Sequence, residues 1–197
     1  MKQKFSKRVF TPSTLVEIVT ELAQYLPTLP STFASGRVSP AFRERILLAV
    51  TSVNRCRYCQ WVHTDLAVAN GMTTSDVAAL LGSDTNNVPE SEKAALVYAL
   101  HYAETNRNPH PAQREKLVTT YGEDAARDIE NYIRLIFFSN LTGNTFDSFL
   151  SRMRGEPSSD GNAVFEGVFA ALSAPVLLSL AAISKNSINP LASLAHG

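Results

Sequence analysis

The sequence has little charge and no excess of either sign. Lys and Arg together number 18, as do Asp and Glu, and charged residues are 18% of the 197, against about 25% in an average domain. A balanced chain of this kind offers no basic field to a nucleic acid, so nucleic-acid binding is not expected. Cysteine is scarcer still: Cys56 and Cys59 are the only two. A pair three positions apart closes too short a loop to staple a secreted fold; it points instead to redox or metal chemistry. Nine glycines and ten prolines are ordinary counts and exclude collagen-like and linker-like chains. Strand signals are nearly missing, with no sustained period-two alternation. What the chain does have is 45% hydrophobic residues, enough for a sizeable core and too many for global disorder.

Helix punctuation recurs along the whole length. Thr11-Pro12 opens a segment with Leu15, Ile18, Val19, Leu22 and Leu26 on one face, and Pro27 and Pro30 are expected to end it. Ser39-Pro40 caps a helix running to about Asn54, with Phe42, Ile46, Ala49, Val50 and Val53 as its apolar stripe. A tight break at Asn54-Arg55 leads into a helix from Cys56 to Gly71. Further helices are predicted over 74–81, from Pro89 to Thr105, from Pro111 to Tyr121, and from Glu123 to about Arg154, the last with a break at Gly143. A flexible linker at 155–161 precedes a final apolar helix and a polar tail. The sequence thus predicts an all-α protein of about eight helices. Residues 1–155 form the expected domain, around a motif core at 39–71, and 156–197 add a linker and an apolar interface helix.

The basic segment Met1–Phe10 is not followed by an apolar run of signal-peptide length, so a cytoplasmic protein is expected. Val164 to Ile183 is about as long as a membrane span. Glu166 near its start, Pro175 near its middle and its many small residues favour a helix packed in the protein or between subunits over a membrane anchor.

One segment concentrates the reactive residue types. On a helix, Cys56 and Cys59 are i and i+3, and Cys59 and His63 are i and i+4, so all three share one stripe. His63 can then take a proton from a thiol directly or through one water. Cys56 falls in the first turn, where unpaired N–H groups and the helix dipole favour an anion, and Arg55 and Arg57 add positive charge. The spacing also permits a reversible disulfide. If the helices on either side of Asn54-Arg55 form an antiparallel hairpin, Glu44 lies about ten residues before the turn and His63 eight or nine after it. The offset is on the order of 3 Å along the axis. A carboxylate there can orient the imidazole and receive its proton, making a Glu44–His63–Cys relay.

The pattern Glu44-x11-Cys56-x2-Cys59-x3-His63 resembles the active-site signature of the alkylhydroperoxidase-D-like proteins, within the carboxymuconolactone decarboxylase-like superfamily. The close resemblance covers about 39–70. It implies an all-α fold and thiol peroxidase chemistry that needs neither cofactor nor metal. A thiolate attacks the O–O bond of a hydroperoxide, the resulting sulfenic acid condenses with the second thiol, and a lipoyl-protein or thioredoxin-like dithiol restores the pair. Carried onto this chain, Cys59 is the attacking thiol, His63 its base, Cys56 the proton donor and resolving thiol, and Glu44 the relay carboxylate. The resemblance also implies a homo-oligomer, commonly a trimer or hexamer. The prototypes have a second histidine just before the second cysteine, where this chain has Tyr58. A phenol titrating near 10 cannot shuttle protons near neutrality. The decarboxylase branch lacks the cysteine pair, which argues against lactone decarboxylation.

Other readings stand beside this one. The pair could be two inert buried thiols, or part of a zinc site with His63 and Glu44, which would make the protein a redox-sensing or metal-binding scaffold without catalysis. Haem attachment would need histidine directly after Cys59, where residue 60 is Gln. Trp61 and Tyr58 are expected to pack at a pocket rim. His101 and His110 have no registered partners, and Asn140 and Asn144 suit inter-helix hydrogen bonds.

Overall fold

The computed structural model describes residues 5–183; the polar tail expected beyond them lies outside the described residues. Every described element is helical. The eight expected helices all form: α1 (Pro12–Tyr25), α3 (Pro40–Asn54), α4 (Arg57–Ala69), α5 (Thr74–Leu81), α6 (Glu90–Glu104), α7 (Pro111–Tyr121), α8 (Glu123–Met153) and α9 (Ala163–Ile183). A ninth, α2 (Leu29–Ala34), follows a 3-10 turn at Leu26–Thr28. Pro27 and Pro30 therefore restart the helix rather than end it: each stands in the first turn of a new piece, where its missing N–H is not needed. What holds α2 is a tertiary contact that periodicity does not reveal. Thr32 Oγ1 donates to Asp128 Oδ1 of α8 at 2.8 Å, and Arg37 Nε donates to Asp128 Oδ2 at 2.7 Å.

Helix α3 is the centre of the fold, packed against α4, α5, α6 and α8. Ile46, Leu48, Ala49 and Val50 are fully buried on it, so it is enclosed on most faces rather than amphipathic. The second organising element is α8, one unbroken helix of 31 residues, about 46 Å long. The break expected at Gly143 does not occur. A Cβ at that position would stand 2.7 Å from Cys56 Sγ and 3.0 Å from Tyr58 Cδ2. The glycine serves close packing of α8 against the start of α4, not a kink.

The 155–161 segment folds back onto α8, with Ser151 Oγ donating to the Glu156 carbonyl at 2.7 Å and Ser158 buried. Helix α9 then packs along α8, with a second contact to α4. The Glu166 carboxylate is buried completely, accepting from Ser148 Oγ at 2.8 Å and Arg152 Nε at 2.7 Å. On the opposite side of α9, Val164, Val168, Leu172 and Val176 are exposed at four-residue steps. By length and composition Ala163–Leu180 could cross a membrane, the one such helix among the described residues.

Candidate functional site

The hairpin of α3 and α4 turns on a single residue. Arg55 adopts the left-handed conformation (φ 57°, ψ 36°) and donates its N–H to the Thr51 carbonyl at 2.7 Å. Closure there puts Cys56 at the N-cap of α4, where its Sγ accepts the N–H of Cys59 at 3.3 Å. The side chain thus replaces a capping hydroxyl at one of the orphan donors of the first turn. Both cysteines are free and buried.

The hairpin also delivers the predicted carboxylate. Glu44 Oε2 meets His63 Nδ1 at 2.8 Å, and the other carboxylate oxygen accepts from Arg43 Nε and Nη2, both at 3.0 Å. Glu44 is 1% exposed. Burial alone would push its carboxyl up; the hydrogen bond and charge of His63, with Arg43 behind them, outweigh burial and hold it below the ordinary carboxylate range. An ionised Glu44 accepts a hydrogen bond from Nδ1–H, the tautomer that leaves Nε2 free as an acceptor. Arg43 carried no signal in the sequence beyond its place next to Glu44.

Cys59 is held as a thiol. The Cys56 sulfur within hydrogen-bond reach, together with burial, pushes it well above the ordinary thiol value, while Asn140 and the local backbone act weakly the other way. Asn140 and Asn144 make the inter-helix bonds their spacing suggested. Asn140 Nδ2 donates to Thr51 Oγ1 at 3.1 Å, and Asn144 Nδ2 to the Asn54 carbonyl at 2.8 Å. They tie the hairpin turn to α8.

Tyr58 belongs to a second network. Its hydroxyl donates to Asp147 Oδ1 at 2.8 Å and accepts from Arg57 Nη2 at 2.8 Å, while Arg57 and Lys7 pair with Asp147 at 2.6 and 2.9 Å. Burial, with Asp147 beside it, raises the phenol far above its ordinary value, so position 58 holds its proton across the physiological range. Asp147 was not singled out from sequence. Its signal was there, in a polar and small stripe of Asn140, Gly143, Asn144 and Asp147 along one face of α8.

Two cavities of similar size meet at His63. One, about 310 Å³, reaches Cys59 and Tyr58 and is walled by Val62, Phe138, Leu177 and Leu180. The other, about 300 Å³, holds Arg43 and Glu44 with Phe33 and Tyr132. Trp61 lines neither, contrary to its expected place at a rim. Among the described residues, no group of three or more His, Cys, Asp or Glu is arranged to hold a metal ion. His101 and His110 are partners rather than strangers: the His110 N–H donates to His101 Nε2 at 3.1 Å, and His110 Nδ1 caps α7 by accepting from the Ala112 N–H. Both lie outside the two cavities at His63.

No curated protein and no solved structure matches the chain. Residues 21–104 match the model of the carboxymuconolactone decarboxylase family. The matched segment runs from the end of α1 through α6 and contains Glu44, Cys56, Cys59 and His63; α7, α8 and α9 lie beyond it. Over this segment the chain is similar to the carboxymuconolactone decarboxylase family, whose superfamily includes the alkylhydroperoxidase-D-like proteins, and its all-helical fold agrees with that likeness.

Proposed function

We propose that the protein is a thiol-dependent peroxidase that reduces hydroperoxides through Cys59 and Cys56 and is recycled by a dithiol. The observation that carries this reading is the buried 2.8 Å contact of Glu44 with His63, with His63 sharing a cavity with Cys59. A thiol pushed up by its surroundings needs a base at hand. His63 Nε2 takes the Cys59 proton, and Glu44 stabilises the imidazolium that forms. The Cys59 thiolate attacks the distal oxygen of ROOH and the O–O bond breaks. The departing alkoxide collects the proton from His63 and leaves as ROH, with Cys59 as sulfenic acid. Cys56 Sγ then attacks the Cys59 sulfur, a disulfide forms, and the expelled hydroxide takes the Cys56 proton and leaves as water. A dithiol partner, lipoyl-protein or thioredoxin-like, reduces the disulfide by exchange and is itself oxidised. The sum is ROOH plus dithiol to ROH, water and partner disulfide. A cytoplasmic homo-oligomer is part of the same reading.

The test is turnover of cumene hydroperoxide with a reduced lipoyl-protein and with thioredoxin. Steady consumption is expected, and Cys59→Ser abolishes it while helical circular dichroism and Tm stay near the parent values. Absence of turnover with both dithiols, in protein whose thiols titrate as reduced, overturns the proposal in favour of a redox-sensing or metal-binding scaffold.

A further inference from the structure

The cavity that reaches Cys59 is only partly built from the segment the family shares. Val62 comes from α4, within the match, whereas Phe138 comes from α8 and Leu177 and Leu180 from α9, both beyond it. The polar groups on these walls are largely committed. Ser139 Oγ donates to the Leu135 carbonyl and Thr142 Oγ1 to the Phe138 carbonyl, each at 3.0 Å within α8, and the Tyr58 hydroxyl is bound to Asp147. The donors and acceptors left facing the chamber are the reacting ones, on Cys59 and His63, and the remaining walls are mainly hydrocarbon.

The α9 wall is also fixed in place. Glu166 is buried and held by Ser148 and Arg152 at the start of α9. One turn further on, Phe169 packs against Phe10 with ring centroids 5.4 Å apart. A volume of about 310 Å³ corresponds to about ten water volumes at ~30 Å³ each. Hydrogen peroxide, with two heavy atoms, would occupy a small part of it and leave the apolar walls without contacts. A hydroperoxide bearing a compact hydrocarbon group fills it.

We propose that α9 supplies a binding subsite for the hydrocarbon part of an organic hydroperoxide, and that Leu177 and Leu180 set the preference for such substrates over hydrogen peroxide. The substrate claim rests on the peroxidase reading; the apolar subsite beside Cys59 does not, and the experiment keeps the two apart. The 197-residue chain is compared with Leu180→Asp, which puts a charge into the chamber, with Leu180→Met, which keeps it apolar, and with Val176→Asp at the rim. Val176 is 64% exposed, so folding of that variant is not at stake.

The first readout is kcat/KM for cumene hydroperoxide and for hydrogen peroxide with the same dithiol. Leu180→Asp is expected to lower the ratio of the two about tenfold or more, through the cumene value, and Val176→Asp to lower it less, about threefold. Leu180→Met should stay within about twofold of the parent. The second readout is the alkylation rate of reduced Cys59, mapped by mass spectrometry, with N-phenylmaleimide and with iodoacetamide. The phenylmaleimide-to-iodoacetamide ratio should fall in the same order across the variants. If the parent turns over no peroxide but the alkylation ratio falls, the peroxidase reading fails and the apolar subsite stands. If both ratios are unchanged in the Asp variants, or both peroxides lose activity by the same factor, the subsite proposal is overturned.

Discussion

Two buried carboxylates flank the cysteine pair, and they are built for different ends. Glu44, on α3, is 1% exposed and hydrogen-bonds an imidazole; Asp147, on α8, is 6% exposed and holds Lys7, Arg57 and the Tyr58 hydroxyl. Both are satisfied, as buried charges must be. The difference lies in what their partners can release. Imidazole is the one side chain whose ordinary titration falls between pH 5 and 8, so in the proposed peroxidase cycle the Glu44 side is the one that moves a proton. The Asp147 side holds the Lys7 ammonium together with a guanidinium and a phenol that their surroundings raise above their ordinary values, and neither the guanidinium nor the phenol gives up a proton near neutrality. The first arrangement is the proposed relay and the second a clamp, joining the chain before α1, the first turn of α4 and the C-terminal part of α8. Tyr58 belongs to the clamp.

The largest effect should come from breaking the relay without breaking the fold. Glu44→Gln keeps the shape and a hydrogen bond to His63 but removes the charge that stabilises the imidazolium. A loss of about 10²–10³ in kcat/KM for the hydroperoxide is expected, within the usual worth of positioned acid–base catalysis. The variant also has a pH signature. Because the folded Glu44 carboxyl lies below its ordinary 4.5, its ionisation stabilises the fold above about that pH, and the contribution is lost as pH falls through the folded value. The Tm difference between parent and Glu44→Gln should therefore be largest at neutrality and shrink in acid. A variant with parental activity would remove Glu44 from the mechanism.

Breaking the clamp should give the opposite pattern. Asp147→Asn leaves Lys7 and Arg57 without a counter-charge. The expected cost is about 2–3 kcal/mol, the range for hydrogen bonds to charged groups, seen as a Tm lower by about 5–10 °C in a chain of this size. Tyr58→Phe keeps the ring against Phe146, with which it makes an edge contact at 6.1 Å, and should cost about 1 kcal/mol. In both variants kcat/KM should stay within about threefold of the parent. A large loss of turnover in Tyr58→Phe at unchanged Tm would mean that the phenol carries a proton after all.

The contrast also marks where the sequence was legible. The relay could be placed because its members lie on two helices joined by a turn at Arg55, and residues equidistant from a tight turn must meet. The helix starts were legible at Thr11-Pro12, Ser39-Pro40 and Pro111, because capping and proline at the first turn are local chemistry. The clamp was not, because Lys7, Tyr58 and Asp147 are brought together by the packing of three distant elements, and no spacing rule links them. Gly143 shows the same limit. Its residue type suggested a break, but its reason is a neighbour 87 positions earlier in the chain, the sulfur of Cys56. The short α2 was missed because Asp128, which receives Thr32 and Arg37, lies in the early part of α8, 96 positions beyond Thr32 in the chain. The apolar lining was half visible: the composition of α9 predicted a packed helix, but not that Leu177 and Leu180 would face Cys59.

The smallest expected effect tests what sets the thiol that lies between the two networks. The leading cause of the raised Cys59 thiol is the Cys56 sulfur, ahead of burial. In Cys56→Ala the second cause remains and the first is gone. The pH midpoint for alkylation of Cys59 by iodoacetamide should then fall below the parental midpoint, yet stay above that of a free thiol because the site is still buried. The sign is what matters. A negative sulfur, or one that accepts a hydrogen bond from the thiol, makes ionisation harder, so removing it makes ionisation easier, and Cys59 should react faster at neutral pH although turnover stops for want of a resolving thiol. An unchanged midpoint would assign the shift to burial alone. The pairing with Cys56 would then be a matter of disulfide geometry, and His63 would be working against desolvation rather than against its neighbour's sulfur.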